Sequence, residues 1–301
     1  MQKILKLFVC GFLASVLLSA PALAKKEPLR LKPSSKWNVN YAADSCRLAR
    51  QFGEGDQSVI LLIDRFEPGD SFRLSLAGEP VDTGRTSGDA EIRFGPAELE
   101  QKVGFYPGNL EHGKPALIMR TSMRIAKWTD EEIARSDRVS ATGEGTYPSI
   151  GPDREAAVTS LTIGWPLSRA LVLETGSMGN VFAAMRKCTD ELLDHWGVDV
   201  AKHAHLLRPV VPVGNPAQWM KSSDYPMEML SKGQRAIVQF RLNVDETGVA
   251  TACHIQLSTR PKAFDDAVCK GILRRAHFRP ALDVDGKPIS SYWLNSVNFH
   301  I

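Results

Sequence analysis

Gln234-Arg-Ala-Ile-Val-Gln-Phe-Arg-Leu-Asn-Val244 alternates: Ala236, Val238, Phe240, Leu242 and Val244 are apolar, while Gln239, Arg241 and Asn243 are polar. That is the two-residue period of a half-buried strand. Asp245-Glu-Thr-Gly248 is a short loop ending in a glycine, where a hairpin needs positive φ. A second strand follows from Val249 to Leu257, with Val249, Cys253, Ile255 and Leu257 on one face. From Lys262 to Ala276 the period changes, and Phe264, Val268, Ile272 and Ala276 form one stripe of a helix that Pro280 ends. After an Asp285-Gly-Lys-Pro288 turn, Trp293, Val297, Phe299 and Ile301 point one way in a closing strand. Residues 218–301 therefore read as a small αββαβ unit.

This unit resembles the C-terminal domain of the TonB family. The residues that carry the resemblance are Tyr225-Pro226 before the first strand, the Val244–Val249 hairpin, Phe264-Asp-Asp-Ala267 opening the helix, His277-Phe-Arg-Pro-Ala281 closing it, and Asp285-Gly-Lys-Pro288 before the last strand. Each motif stands on the element where the family has it, which is the context a motif needs. The resemblance implies protein recognition by strand addition, with an outer-membrane TonB-dependent receptor as a partner. Tyr225 and Pro226 align with the position beside the receptor peptide, and Asn295, Val297 and Phe299 lie in the strand expected to be the open edge. A second copy of the chain is the other partner such an edge admits.

The other end of the chain bears on the compartment. Lys3 and Lys6 precede an apolar run from Leu7 to Leu18, and Ala22-Leu-Ala24 stands just before Lys25. This is the layout of a secretory signal peptide cut after Ala24, placing the protein in the periplasm; the alternative is an uncleaved inner-membrane anchor with the rest facing the periplasm. Removal takes two lysines and no acid, so the formal charge falls by two from +3 to +1. A nearly neutral chain has no general field for nucleic acid.

Cys10 leaves with that segment, and four of the five cysteines remain: Cys46, Cys188, Cys253 and Cys269. An even count in an exported chain suggests disulfides. Cys253 is on the apolar face of its strand and Cys269 is beside Val268 and Ile272 on the helix stripe that covers it, so their sulfurs can meet. Closing that loop contributes on the order of 3 kcal/mol. Cys46 and Cys188 then pair by default; four reduced buried thiols are the alternative. No CxxC spacing suggests a redox or zinc site.

Residues 25–36 read as a flexible lead and 37–200 as a β-rich, sandwich-like domain. Val59–Ile63, Phe72–Leu76, Ile92–Phe94, Leu117–Met119, Leu161–Ile163 and Ala170–Leu173 are short apolar runs between turn residues, the pattern of a β-sandwich or partly closed barrel. Thr129-Asp-Glu-Glu132 has capping-box spacing for a brief helix. Met178, Phe182, Met185, Leu192 and Trp196 form the stripe of a longer one that packs on the sheet. Trp37-Asn-Val39 with Cys46, and Gly179-Asn-Val-Phe-Ala-Ala184, resemble the start and the helix of the invasion-associated locus B family of exported β-sandwich proteins.

Three features invite an enzymatic reading and none completes it. Val81-Asp82-Thr83-Gly84 spells an aspartic-protease triplet, but that chemistry needs a second carboxylate sharing a proton, and no second triplet exists. His195, His203 and His205 stand at a domain boundary, where solvated side chains are the expectation rather than a metal site. Ser168 and Ser177 lack the Gly-x-Ser-x-Gly frame. The reading is therefore a protein without catalytic residues, metal or cofactor.

Residues 201–217 hold Leu206-Leu-Arg-Pro-Val-Val-Pro-Val-Gly-Asn-Pro216, which reads as an extended, stiff linker spanning about 35 Å. TonB-like energy transducers carry a longer spacer behind a membrane anchor. The sequence thus supports two functional classes: a TonB-like transducer associated with TonB-dependent transport, and a soluble periplasmic scaffolding or binding module without an energy-transducing role.

Overall fold

The computed structural model describes residues 26–84, 87–109, 113–259 and 261–300. The signal-peptide segment and Ile301 lie outside the described residues. The first part of the chain contributes strands β1 (Leu29–Leu31), β2 (Asn38–Tyr41), β3 (Cys46–Phe52), β4 (Val59–Arg65), β5 (Arg73–Ala77), β6 (Gly88–Phe94), β7 (Gln101–Asn109) and β8 (Pro115–Met119). Helices α1 (Asp130–Thr142) and α2 (Pro152–Ala157), strands β9 (Leu161–Ile163) and β10 (Leu171–Leu173), and helix α3 (Gly179–His195) complete it.

These strands form one ten-stranded sheet in the order β1-β10-β9-β6-β7-β8-β5-β4-β3-β2. Its two ends are drawn together by the chain that starts it. β1 pairs with β10, and a few residues on the same run hydrogen-bonds to β3: Gly53 N–H donates to Lys32 O, Ser34 N–H to Gln51 O, and Pro33 bridges Phe52. Residues 29–34 are thus strand and clasp rather than the flexible lead expected of 25–36, because their backbone groups find partners on both sides.

The sheet wraps its inward side chains around α3. Phe182 stacks on Phe72 at 5.8 Å between ring centres, and Phe72 meets Phe94 edge-on at 5.7 Å. Met178, Met185 and Leu192 of the expected stripe are buried in the same core. Cys46 of β3 is joined to Cys188 of α3. The Thr129 capping box starts α1 as its spacing requires, and the helix runs for 13 residues.

The second part begins with α4 (Val200–His203), β11 (Val211–Pro212) and α5 (Met227–Ser231), then β12 (Ala236–Val244), β13 (Ala250–Ser258) and α6 (Lys262–Arg275). It closes with β14 (Phe278–Arg279), β15 (Ala281–Leu282), β16 (Pro288–Ile289) and β17 (Ser291–Phe299). β12 is the centre of a three-stranded antiparallel sheet, β13-β12-β17, and α6 covers one face through Phe264, Val268 and Ile272. Gly248 turns the hairpin at φ +86, where a Cβ would meet the Phe278 carbonyl oxygen at 2.0 Å, so only glycine fits.

The stretch expected to be an extended, stiff linker is laid along this second unit. β11 pairs with β14, Leu207 N–H donates to Leu282 O, and Val213 N–H donates to His277 O. Its prolines keep it extended, and its remaining backbone donors find the short strands after α6. Among the described residues, no helix is long and apolar enough to cross a membrane.

Candidate peptide-binding edge

The three-stranded sheet has two edge strands, and they differ. β17 pairs with β12 over nine consecutive residues, from Ala236 opposite Phe299 to Val244 opposite Ser291, without a register shift. β13 pairs with the same strand with irregularities at Gln239/Phe240 and Asn243/Val244. Bulges spoil an edge as a template, whereas a regular edge presents its outer N–H and C=O groups at strand spacing. β17 is therefore the better-formed edge for an added strand.

The sequence-derived site residues are distributed along it. Tyr225 sits edge-on to Phe299 at 5.3 Å and to Phe264 at 5.7 Å, and its hydroxyl donates to the Gln234 carbonyl. Phe299 is buried and meets Phe264 at 4.8 Å. Pro226 follows Tyr225 and leads into α5. Tyr225, Pro226 and Phe299 thus gather at one end of β17. Val297 is half-buried against the same core, and Asn295, midway along the strand, is exposed and accepts the Ser296 N–H at 2.8 Å. Trp293 is packed between Trp219 at 5.4 Å and Phe278 at 5.3 Å.

Two devices fix the framework behind the edge. Cys253 on β13 is joined to Cys269 on α6, pinning helix to sheet. Asp224, just before Tyr225, receives Arg275 Nη1 at 2.7 Å and Nη2 at 2.8 Å, and Arg274 approaches at 3.7 Å. The Arg275 hydrogen bonds hold the Asp224 carboxyl down to about 2 against the opposing effect of burial. Arg275, with Arg274 beside it at the end of α6, therefore anchors the segment bearing Tyr225.

The sequence missed what covers the other face of the sheet. Alternation made Arg241 a surface residue, but it is only 3% exposed. Its guanidinium lies 4.2 Å over the Trp196 ring at the end of α3, and Nη2 reaches Asp44 Oδ1 at 3.3 Å. Arg73 of β5 donates to Gln239 Oε1 at 3.3 Å, and Gln256 donates to the carbonyls of Asp44 and Phe66 at 3.1 and 3.2 Å. Tyr292 meets Trp196 edge-on at 5.4 Å. The polar face of β12 thus packs against the first part of the chain. Burial lowers the Arg241 pKa, which Asp44 partly offsets, and burial with the Arg241 charge lowers His254. The one sequence signal was the long, hydrogen-bonding character of Gln239, Arg241 and Gln256, which suits a polar interface as well as water.

The features that invited enzymatic readings are dispersed. Asp82 is exposed and accepts the Gly84 N–H at 2.9 Å in a turn. His195 and His205 are exposed, as expected, but His203 is half-buried. It stacks on Tyr292 at 6.2 Å, its Nδ1 lies 2.9 Å from Asp199 O and its Nε2 lies 2.8 Å from Ser291 Oγ. Among the described residues, no group of three or more His, Cys, Asp or Glu could hold a metal ion.

The family model described as Gram-negative bacterial TonB protein C-terminal matches residues 221–301. This segment is a TonB C-terminal domain. The match begins just before Tyr225 and takes in β12, β13, α6 and β17, the elements the alternating pattern first indicated. No curated protein and no solved structure matches the chain. The match to this domain points to protein interactions in the cell envelope. The ten-stranded part lies outside the matched residues.

Proposed function

We propose that this protein recognises an extended peptide segment of a cell-envelope partner by adding it as a strand to β17. The observation that carries the reading is the uninterrupted nine-residue ladder between β12 and β17, against the bulged ladder of β13. Main-chain hydrogen bonds supply affinity in such addition, and alternate side chains supply specificity. In this reading Asn295 and Val297 flank the added strand, and Tyr225, Pro226 and Phe299 bound its end. The partner class is an outer-membrane TonB-dependent receptor, and the compartment is the periplasm after cleavage behind Ala24.

A second reading has the same edge serve a scaffold with no energy-transducing role, using a peptide or a second copy of the chain. The docking of residues 207–213 along β14 and β15 favours it, because a stretch tied into the fold has little length to give.

The test is register-specific crosslinking. Asn295→Cys is expected to form a disulfide with single-cysteine peptides from the periplasm-facing end of a receptor, at one peptide position and its alternate neighbours. Thr251→Cys on β13 is expected not to. Equal crosslinking at both positions, or none at Asn295, sinks the strand-addition reading. Crosslinking between two N295C chains without peptide favours the scaffold.

A further inference from the structure

The first part of the chain carries a groove of about 1070 Å³, lined by residues between Pro28 and Ser177 and by none from β17. Its floor follows from sheet register. Arg30 on β1 pairs with Val172 on β10, Val172 with Thr162 on β9, and Thr162 with Arg93 on β6. The chain neighbours Leu31, Leu171, Leu173, Leu161, Ile163, Ile92 and Phe94 are buried in the core, so this row faces outward. Adjacent strands lie about 4.8 Å apart, which sets the Arg30 and Arg93 backbones about 14 Å apart. Between the two cations lie only small uncharged side chains.

Lys32 and Arg50 add positive charge at the β1 side, and Glu174 is the one acid in the lining. Arg50 is preset: Nε donates to Ser35 O at 3.0 Å, Nη1 donates to Thr175 O at 2.8 Å, and its guanidinium stands 5.3 Å over the Trp37 ring. Among the described residues, none of the ion pairs involves Arg30, Lys32 or Arg93. In a chain with 37 basic and 34 acidic residues, this is a local concentration of unpaired cations in a concavity.

We propose that this groove binds an anionic glycan, a chain of sugar rings bearing carboxylate or phosphate groups. The separated cations suit repeated rather than single anions. Thr159, Ser160 and Thr162 provide hydroxyls to meet sugar hydroxyls, and the Trp37 indole lines the groove beside Arg50. An acidic peptide fits less well, because β10, β9 and β6 are paired on both sides and offer no free backbone edge. This site is independent of the β17 edge.

The test is calorimetric titration of the purified protein at low and high salt with oligogalacturonate, a neutral maltooligosaccharide, inorganic phosphate and an oligoglutamate peptide. Oligogalacturonate is expected to bind with an affinity that falls with salt, and the neutral sugar is expected not to bind. The Arg30→Gln/Arg93→Gln double variant changes only exposed side chains and should weaken binding roughly tenfold or more. Lys114→Gln, outside the groove, should leave it unchanged. Absence of oligogalacturonate binding, or binding that ignores the double variant, overturns the site. Equal or tighter binding of oligoglutamate overturns the glycan assignment, and phosphate binding as tightly as the oligosaccharide overturns the extended-ligand reading.

Discussion

Arg241 and Asp44 face each other where the TonB C-terminal domain meets the rest of the chain, and their unequal exposure makes a directional prediction. The Arg241 side chain is 4% exposed and that of Asp44 is 29%. The Arg241 Nε is buried without a hydrogen-bond partner among the described residues. Asp44→Asn leaves a guanidinium that cannot reach water without its charge partner. A fully buried pair broken this way loses about 3–5 kcal/mol; the partial exposure of Asp44 and the remaining Trp196 contact bring the expectation to about 2–3 kcal/mol. Arg241→Met removes the buried charge together with its desolvation penalty, keeps contact with Trp196 through a polarisable side chain, and lets Asp44 hydrate; about 1–2 kcal/mol is expected. The acid-side variant should therefore cost more than the base-side one, with a coupling of about 1 kcal/mol in the double-mutant cycle. Urea unfolding followed by tryptophan fluorescence and by far-UV circular dichroism measures all three variants. If R241M costs as much as D44N, or the coupling is below about 0.3 kcal/mol, the pair does not hold the interface as described.

Other outcomes follow from the same geometry. The disulfides close sequence separations of 16 and 142 residues, so chain entropy assigns about 3 kcal/mol to Cys253–Cys269 and about 5 kcal/mol to Cys46–Cys188; denaturant midpoints of the two double-serine variants should fall in that order. The Asp224 carboxyl is held at about 2, below its ordinary value of 3.8, so its contribution is present above about pH 4 and lost as pH falls through about 2. Asp224→Asn should accordingly cost about 1–2 kcal/mol near neutral pH, and the gap in melting temperature from the unaltered protein should close near pH 2. Phe264→Ala removes a fully buried ring that touches both Tyr225 and Phe299 and should cost about 3–5 kcal/mol. Tyr225→Phe loses only the hydrogen bond to Gln234 O and should cost about 1 kcal/mol by the same unfolding assay.

The C-terminal unit was legible because its signals are local. Alternation across Ala236–Val244, the glycine at 248 and the four-residue stripe from Phe264 to Ala276 each report on a few neighbouring residues, and the disulfide between Cys253 and Cys269 followed from which faces those periods expose. The first unit was only partly legible. Phe72, Phe94 and Phe182 announced a core, but β3 and β7 contain Arg47, Arg50, Lys102 and Gly104 among their apolar residues and did not stand out. β1 is too short to show a period, and what makes it a strand is pairing with β10, far along the chain. Arg241 failed for a different reason: period says which face a side chain takes, never what that face meets. Leu206 to Pro216 read as extended from its prolines, but the helix at Val200–His203 gave no signal there, and the docking of residues 207–213 depended on backbone partners at Leu282 and His277 that composition does not encode.

The clasp formed by residues 29–34 sets a limit on where the chain can begin. A cut after Ala24, the site expected from the small residues before it, leaves Lys25 to Pro28 as a margin ahead of Leu29. Trimming that consumed this margin and then β1 would leave β10 with an open side and release the joint at Gln51 and Gly53. Any shortening of the chain from its start therefore meets a paired strand within a few residues of that margin.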